Sequence, residues 1–165
     1  MPETIFIGLG SNLKQPAHNL YTAFVALSKI EGMYSPLLSP LYKTSPFGVQ
    51  DQPDFINAIA QFQTTLEPRT VLNALLDIEI KMGRVRKEKW GPRLIDLDLL
   101  FFGDQTIDED GLKVPHPGIA ERDFVLIPMM DIAPDWIHPT YAKSISELVT
   151  QLDGTSTINR IESDR

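Results

Sequence analysis

Apolar and polar positions run along this chain with a period that changes repeatedly, and each change marks an element. Thr4 to Leu9 (TIFIGL) is a nearly continuous apolar run closed by Gly8 and Gly10, the pattern of a buried first strand. Pro16 suits the first turn of a helix. Leu20, Phe24, Leu27 and Ile30 then recur at steps of three and four, and Gly32 stops the helix. Tyr34 to Lys43 reads as extended, with Pro36 and Pro40 confining it to an edge or a bulge. Thr44 to Asp54 (TSPFGVQDQPD) is a Pro- and Gly-rich loop. Phe55 to Thr64 alternates as a strand does. Phe55, Asn57, Ile59, Gln61 and Gln63 share one face, while Ile56, Ala58, Ala60 and Phe62 share the other and form core. Pro68 opens a second helix with Val71, Leu75, Ile78 and Met82 as its stripe and Gly83 as its end. Leu94 to Phe102 (LIDLDLLFF) is an apolar strand interrupted by two aspartates. A short hairpin after Gly103-Asp104 ends near Val114-Pro115-His116-Pro117. Short helices are predicted over Phe124–Ile132 and Ser144–Leu152, and the polar stretch from Asp153 to Arg165 reads as a flexible tail.

The order strand, helix, strand, strand, helix, strand is the split βαβ pattern of a ferredoxin-like α+β sandwich. It predicts an antiparallel sheet with helices on one face, plus extra C-terminal helices, in a single domain spanning 1–165. The opposite face of that sheet is then free to hold a ligand.

Charge and composition narrow the function. The formal net charge of -7 argues against a nucleic-acid partner, whose phosphates need a basic surface. There is no cysteine, hence no disulfide framework and no thiolate chemistry. Met1-Pro2-Glu3-Thr4 lacks the basic start and apolar run of a signal peptide. No apolar stretch reaches the ~18 residues of a membrane span. A cytoplasmic protein with no membrane partner is expected. Against the acidic total stands a local excess of bases. Lys81, Arg84, Arg86, Lys87, Lys89 and Arg93 lie within thirteen residues that hold one acid, Glu88. Such a run is either a solvated face or an anion site, and its neighbours decide.

The sharpest neighbour is Asp96-Leu97-Asp98. Two apart on a strand, the aspartates share a face, with Ile95, Leu97, Leu99 and Phe101 expected on the other. Carboxylates about 5 Å apart repel by roughly 3 kcal/mol at an effective dielectric near 20. A cation must offset that repulsion. Either Arg93 pairs with them structurally, or they hold Mg²⁺, which takes one or two carboxylates together with substrate phosphates. Bases on the preceding loop beside metal on the strand make a polyphosphate site, since guanidinium groups bind phosphate bidentately. Trp90, between Lys89 and Gly91, reads as a lid residue or as plain packing. Gly83 and Gly91 would let the loop close. Neither a P-loop nor a complete dinucleotide fingerprint is present: Gly8-Leu9-Gly10 lacks the third glycine and reads as close packing at a strand end. Phe55 with Asn57 suits a flat heteroaromatic ligand, the ring stacking and the amide reading an edge, although Phe55 alone also suits a core. Phe124 after Arg122 offers a second ring. His116, between two prolines, is either structural or a phosphate donor.

Taken together, Lys89-Trp90-Gly91-Pro92-Arg93-Leu94-Ile95-Asp96-Leu97-Asp98-Leu99-Leu100 resembles the signature of the 6-hydroxymethyl-7,8-dihydropterin pyrophosphokinase family. Gly10-Ser11-Asn12, Tyr42-Lys43-Thr44-Ser45-Pro46, Gln52-Pro53-Asp54-Phe55-Ile56-Asn57, Gly83-Arg84-Val85-Arg86 and Val114-Pro115-His116-Pro117 follow the family's order and spacing. The resemblance covers residues 4 to 140. It implies transfer of pyrophosphate from ATP, as co-substrate, to the hydroxyl of the pterin, giving AMP and the pterin diphosphate in folate biosynthesis. It implies two Mg²⁺ ions on Asp96 and Asp98. It implies Phe55 and Phe124 as a pterin sandwich, with Asn57, Thr44 and Phe47 at the pterin's edge. It places Glu79, Arg84, Arg86, Lys87, Trp90, His116 and Arg122 around ATP, and gives Arg84 and Arg93 a part in catalysis. A monomer is expected. Phe55 stands where the family often has tyrosine, and Lys89 where it often has arginine. The rival reading is a ferredoxin-like module that binds nucleotide without chemistry.

Overall fold

The computed structural model describes residues 2–44, 53–83, 94–152 and 158–161. In chain order these form β1 (Glu3–Ser11), α1 (Pro16–Ser28), β2 (Met33–Leu38), β3 (Tyr42–Thr44), β4 (Phe55–Thr64), α2 (Pro68–Lys81), β5 (Asp96–Phe102), β6 (Ile107–Glu109), β7 (Leu112–Val114), α3 (Asp123–Ile132), β8 (Ile137–His138), β9 (Lys143–Ser144), α4 (Ile145–Thr150) and β10 (Ile158–Arg160). The main sheet runs β10-β3-β4-β1-β5, with β2 also on β4, and every pair is antiparallel. It is the predicted split βαβ sheet. β1 and β4 are its spine, paired from Glu3↔Thr64 to Ser11↔Ile56.

Local chemistry sets the ends of the elements. Pro16 starts α1 without a side-chain cap. Asn19, one turn in, instead donates from Nδ2 to Leu13 O (2.8 Å) and Lys14 O (3.0 Å) and holds the β1–α1 loop. The extended run from Tyr34 to Lys43 splits in two. Ser35 sits at φ 53 and the pairing of β2 with β4 slips between Tyr34 and Leu37. That slip is the edge bulge Pro36 predicts. Between β2 and β3, Ser39 exchanges hydrogen bonds with Ile59 through its own N–H and Oγ, both 2.8 Å. Within the predicted tail, Ile158–Arg160 pairs with Tyr42–Thr44 and forms the sheet's outer strand.

Two cores lie on the two faces of the sheet. Under α1 and α2, Leu20, Leu27, Val71 and Leu75 pack on Ile5, Ile7, Ala60, Phe62, Leu97 and Leu99. Each fully buried side chain of this size contributes about 1.5–3 kcal/mol by leaving water. On the other face Phe6, Ile59, Leu100 and Phe101 meet Val125, Leu126 and Met129 of α3 and Ile145 and Leu148 of α4. The C-terminal helices therefore cover part of the face expected to stand open, and the uncovered part is a cleft.

One expected side-chain direction is corrected. Phe101 does not join Leu97 and Leu99. The β1–β5 register shifts between Phe6 and Ile7, where Phe6 faces Phe101 and Ile7 faces Leu99. Leu100 is the extra residue of a bulge, so Leu100 and Phe101 both enter the second core and Phe102 returns to the first. Asp96 and Asp98 precede the bulge and keep the shared face that alternation predicts.

Candidate active site

A cleft of about 710 Å³ opens on the second face of the sheet, beside α3. Thr44, Phe55, Asn57, Glu79, Asp96, Asp98, His116, Arg122 and Phe124 all line it. They come from six separate parts of the chain, and the fold brings them together. The other candidates, Phe47, Arg84, Arg86, Lys87, Trp90 and Arg93, lie outside the described residues. Arg93 as a structural partner of the aspartates lies there too.

The floor is set by register. Gly10 is opposite Asn57 on β4 and opposite Asp96 on β5, and Gly8 is opposite Ile59 and Asp98. Two strand spacings put Asn57 and Asp96 about 10 Å apart across the sheet. Glycine leaves the backbone between them bare. A Cβ at Gly10 would stand 2.8 Å from Asn57 Oδ1, closer than side chains approach. These glycines were expected only as close packing, and their second role is to leave a trough. The alternation of the two glycines is visible in the chain, but only the pairing shows that Asn57 and Asp96 flank Gly10.

Asn57 is 8% exposed and its Nδ2 donates to Thr44 Oγ1 (2.8 Å). That bond fixes the amide's orientation and leaves its other polar valences for a ligand. Phe55, two residues earlier, is half-buried on the same face. From the other wall Phe124 carries the Arg122 guanidinium 5.7 Å from its ring centroid, a cation–π contact. The same α3 is tied to β3 next to Thr44, because the Tyr42 hydroxyl donates to the Asp131 carboxylate. Burial, ahead of the Asp131 carboxylate, pushes the Tyr42 hydroxyl up to about 12.

At the anionic end, Asp96 is half-buried and Asp98 is exposed to the cleft. Glu79 of α2 is buried, with Oε2 accepting from Leu97 N–H at 2.9 Å. His116 N–H donates to Leu100 O (2.9 Å), so the bulge in β5 holds the Pro-His-Pro segment beside the aspartates. The His116 ring places Nδ1 2.7 Å from Pro117 O. A carbonyl only accepts, so Nδ1 carries the hydrogen. Nε2 then donates to an anion only when the ring is an imidazolium. Two strand carboxylates with further oxygen ligands left to a substrate fit Mg²⁺, which seldom has an all-protein cage. Among the described residues no cluster of three or more His, Cys, Asp or Glu is disposed to hold a metal, so any ion here needs the substrate's oxygens as well. Glu121, also on the cleft wall, was not anticipated; nothing in its local pattern marks it.

Known proteins resemble this chain closely. Residues 6–134 match the model of the family described as 7,8-dihydro-6-hydroxymethylpterin-pyrophosphokinase (HPPK). A Synechocystis sp. protein named 2-amino-4-hydroxy-6-hydroxymethyldihydropteridine pyrophosphokinase is 42% identical over 150 residues, covering 91% of this chain and 76% of its own. A Haemophilus influenzae protein of the same name is 41% identical over 148 residues, covering 90% and 92%. The solved wild-type HPPK-DHPS of Plasmodium falciparum superposes with a TM-score of 0.72 at 15% identity. That match covers 92% of this chain but 45% of the solved one, and it speaks for the fold. On the family match and the relatives together, the chain belongs to the 7,8-dihydro-6-hydroxymethylpterin-pyrophosphokinase family.

Proposed function

We propose that this protein transfers the pyrophosphoryl group of ATP to the hydroxyl of 6-hydroxymethyl-7,8-dihydropterin, releasing AMP and the pterin diphosphate, a step in folate biosynthesis. The observation that carries the reading is the row Asn57–Gly10–Asp96 across three strands. It sets a group that reads a heterocycle's edge at one end of a bare trough and an acidic pair at the other.

The pterin ring lies over the glycine floor between Phe55 and Phe124, with its edge on Asn57 and the backbone at Thr44 and Phe47. The triphosphate extends to Asp96 and Asp98, with Glu79, Arg84, Arg86, Lys87, Trp90, His116 and Arg122 around the nucleotide. Two Mg²⁺ ions held by Asp96 and Asp98 would neutralise phosphate charge and make the hydroxyl easier to deprotonate. The chain's own part is mostly positioning and electrostatics. The hydroxyl oxygen bonds to the β-phosphorus, the bond from that phosphorus to the α–β bridging oxygen breaks, and AMP leaves with the oxygen. Asp98, exposed to the cleft, is the acceptor for the hydroxyl proton. Arg84 and Arg93 steady the shifting phosphate charge. A monomer is proposed as the working unit. A cytoplasmic location suits an ATP-consuming reaction. Among the described residues no helix is long and apolar enough to cross a membrane.

The test is a product assay with ATP, Mg²⁺ and the pterin, resolving AMP from ADP. AMP should form in proportion to pterin diphosphate. Formation of ADP, or ATP consumption independent of pterin, would overturn the reading. Tight nucleotide binding with no product would favour the non-catalytic module.

A further inference from the structure

Glu79 is a charged side chain in an apolar place. It follows Leu75 and Ile78 on the buried stripe of α2 and is 5% exposed. A carboxylate so buried is costly unless hydrogen bonds satisfy it. One of its bonds is specific: Oε2 accepts from the N–H of Leu97 at 2.9 Å, and Leu97 is the residue between Asp96 and Asp98. Among the described residues, β5 is the last strand of the sheet and pairs with β1 alone. Its outer row of backbone donors faces no other strand among the described residues. Glu79 takes a neighbour's place at one residue.

We infer that Glu79 is a positioning residue for the metal-holding strand, acting through the Leu97 N–H to hold the Asp96 and Asp98 carboxylates side by side on the cleft face. An unpaired edge strand is free to twist, and rotation of the Asp96–Leu97 peptide would turn the two side chains apart. The bond also spans the segment 84–93. Glu79 lies before it at the end of α2, and Leu97 lies after it in β5. Both stems of the basic segment are thereby pinned to each other. This role is additional to the nucleotide contact proposed above for Glu79, and it rests on the assignment of metal to Asp96 and Asp98.

Three variants of the full chain test it, with the Mg²⁺ dependence of turnover, the binding of metal-free ATP, and hydrogen exchange at the Leu97 amide as readouts. Glu79→Ala should raise the Mg²⁺ concentration for half-maximal turnover about 10–100-fold, the usual cost of losing a group that orients metal ligands. Exchange at Leu97 should accelerate, and binding of metal-free ATP should weaken by less than the Mg²⁺ dependence shifts. Glu79→Gln keeps an oxygen that can accept from Leu97, so its Mg²⁺ dependence should stay within about threefold of the parent. If Glu79→Ala weakens metal-free ATP binding and leaves the Mg²⁺ dependence unchanged, Glu79 is a nucleotide contact alone and the inference is wrong. It is equally wrong if Glu79→Gln is as impaired as Glu79→Ala. Should Glu79→Ala fail to fold, Glu79→Gln decides: parental Mg²⁺ dependence with a protected Leu97 amide supports the role, and a tenfold rise refutes it. Asp96→Asn separates the two layers. A shift there without one at Glu79 removes this inference alone, while no shift at either position removes the metal assignment beneath it.

Discussion

Gly10 and Asn57 sit opposite each other on β1 and β4, and the Asn57 amide oxygen occupies the space a Gly10 side chain would need, 2.8 Å from the Cβ position. The contact involves an amide fixed from its other end by Thr44, so it cannot give way without losing that bond. Gly10→Ala should therefore turn Asn57 aside and raise the KM for the pterin about tenfold, the equivalent of one good hydrogen bond in free energy. The KM for ATP should move much less. Steady-state kinetics with each substrate varied in turn will show whether the loss is confined to the pterin.

Thr44 provides the matching test from the other side of the amide. Thr44→Val preserves shape and β-branching but removes the hydroxyl that accepts from Asn57 Nδ2 at 2.8 Å. A buried donor left without a partner costs about 1–3 kcal/mol. Part of that should appear as lower thermal stability and part as weaker pterin binding when the amide reorients. Calorimetric titration with the pterin, alongside a thermal melt, separates the two. Unchanged pterin affinity would mean that Asn57 does not read the ligand's edge.

Much of this site could be read from the chain because strand alternation is a strong rule. It placed Phe55, Asn57 and Ile59 on one side of β4 and Asp96 with Asp98 on one side of β5. It failed at Phe101, where an extra residue at Leu100 inverts the pattern. A bulge depends on how the partner strand packs, and two adjacent phenylalanines carry no mark of it. The trough at Gly8 and Gly10 was hidden for another reason. Its meaning comes from two strands distant in sequence, and only pairing shows that asparagine and aspartate flank the same glycine. Ile158–Arg160 is a similar case: three residues with no apolar run become a strand because β3 offers an open edge. Glu79 was marked by resemblance alone, since nothing in a helical stripe announces a buried carboxylate reaching an edge strand.

As the proposed metal ligands, Asp96 and Asp98 should bear on chemistry more than on folding, since Asp98 is exposed and Asp96 half-buried at the mouth of the cleft. Asp98→Ala should remove the strand repulsion and leave far-UV circular dichroism and the melting temperature at or above those of the parent. Turnover should fall by at least about 10³-fold if the residue both holds metal and takes the proton. Activity within tenfold of the parent would dismiss both roles. Asp98→Asn keeps an oxygen ligand but not the basicity, and should stay nearer Asp98→Ala than the parent.

His138 sets how the second core responds to acid. It is 4% exposed, stacks edge-on to Phe101 at 5.4 Å between centroids, and accepts at Nδ1 from the N–H groups of Thr140 (3.2 Å) and Tyr141 (3.4 Å). An Nδ1 that accepts carries no proton, so the folded ring is neutral. Burial lowers its pKa from the ordinary 6.5. The unfolded chain then binds the proton first. Stability is fully present above pH 6.5, falls as pH drops through 6.5 toward the folded value, and levels off below it. Urea denaturation across pH 5 to 8 should show that slope, and His138→Phe should flatten it.

Tyr42 gives the opposite sign at the alkaline end. Burial first, then the Asp131 carboxylate that accepts its hydroxyl proton, hold the phenol up at about 12 instead of 10.0. The folded state keeps a proton that the unfolded chain gives up, so this contribution is intact below pH 10 and drains away between 10 and 12. Ultraviolet titration of the four tyrosines should find one ionising late. Asp131→Asn removes the charge while keeping an acceptor, and should bring that tyrosine part of the way back, since burial remains. Tyr42→Phe should abolish the late step and cost about 0.5–1.5 kcal/mol, the net worth of one hydrogen bond, because water can take the donor's place at the exposed Asp131 carboxylate. Because Tyr42 lies two residues from Thr44 and Asp131 sits on the helix that bears Phe124, the same substitution should loosen both walls of the cleft. A higher KM for the pterin with an unaltered KM for ATP is the expected kinetic sign. Equal losses for both substrates would show that the tie supports the whole domain instead of the pterin end.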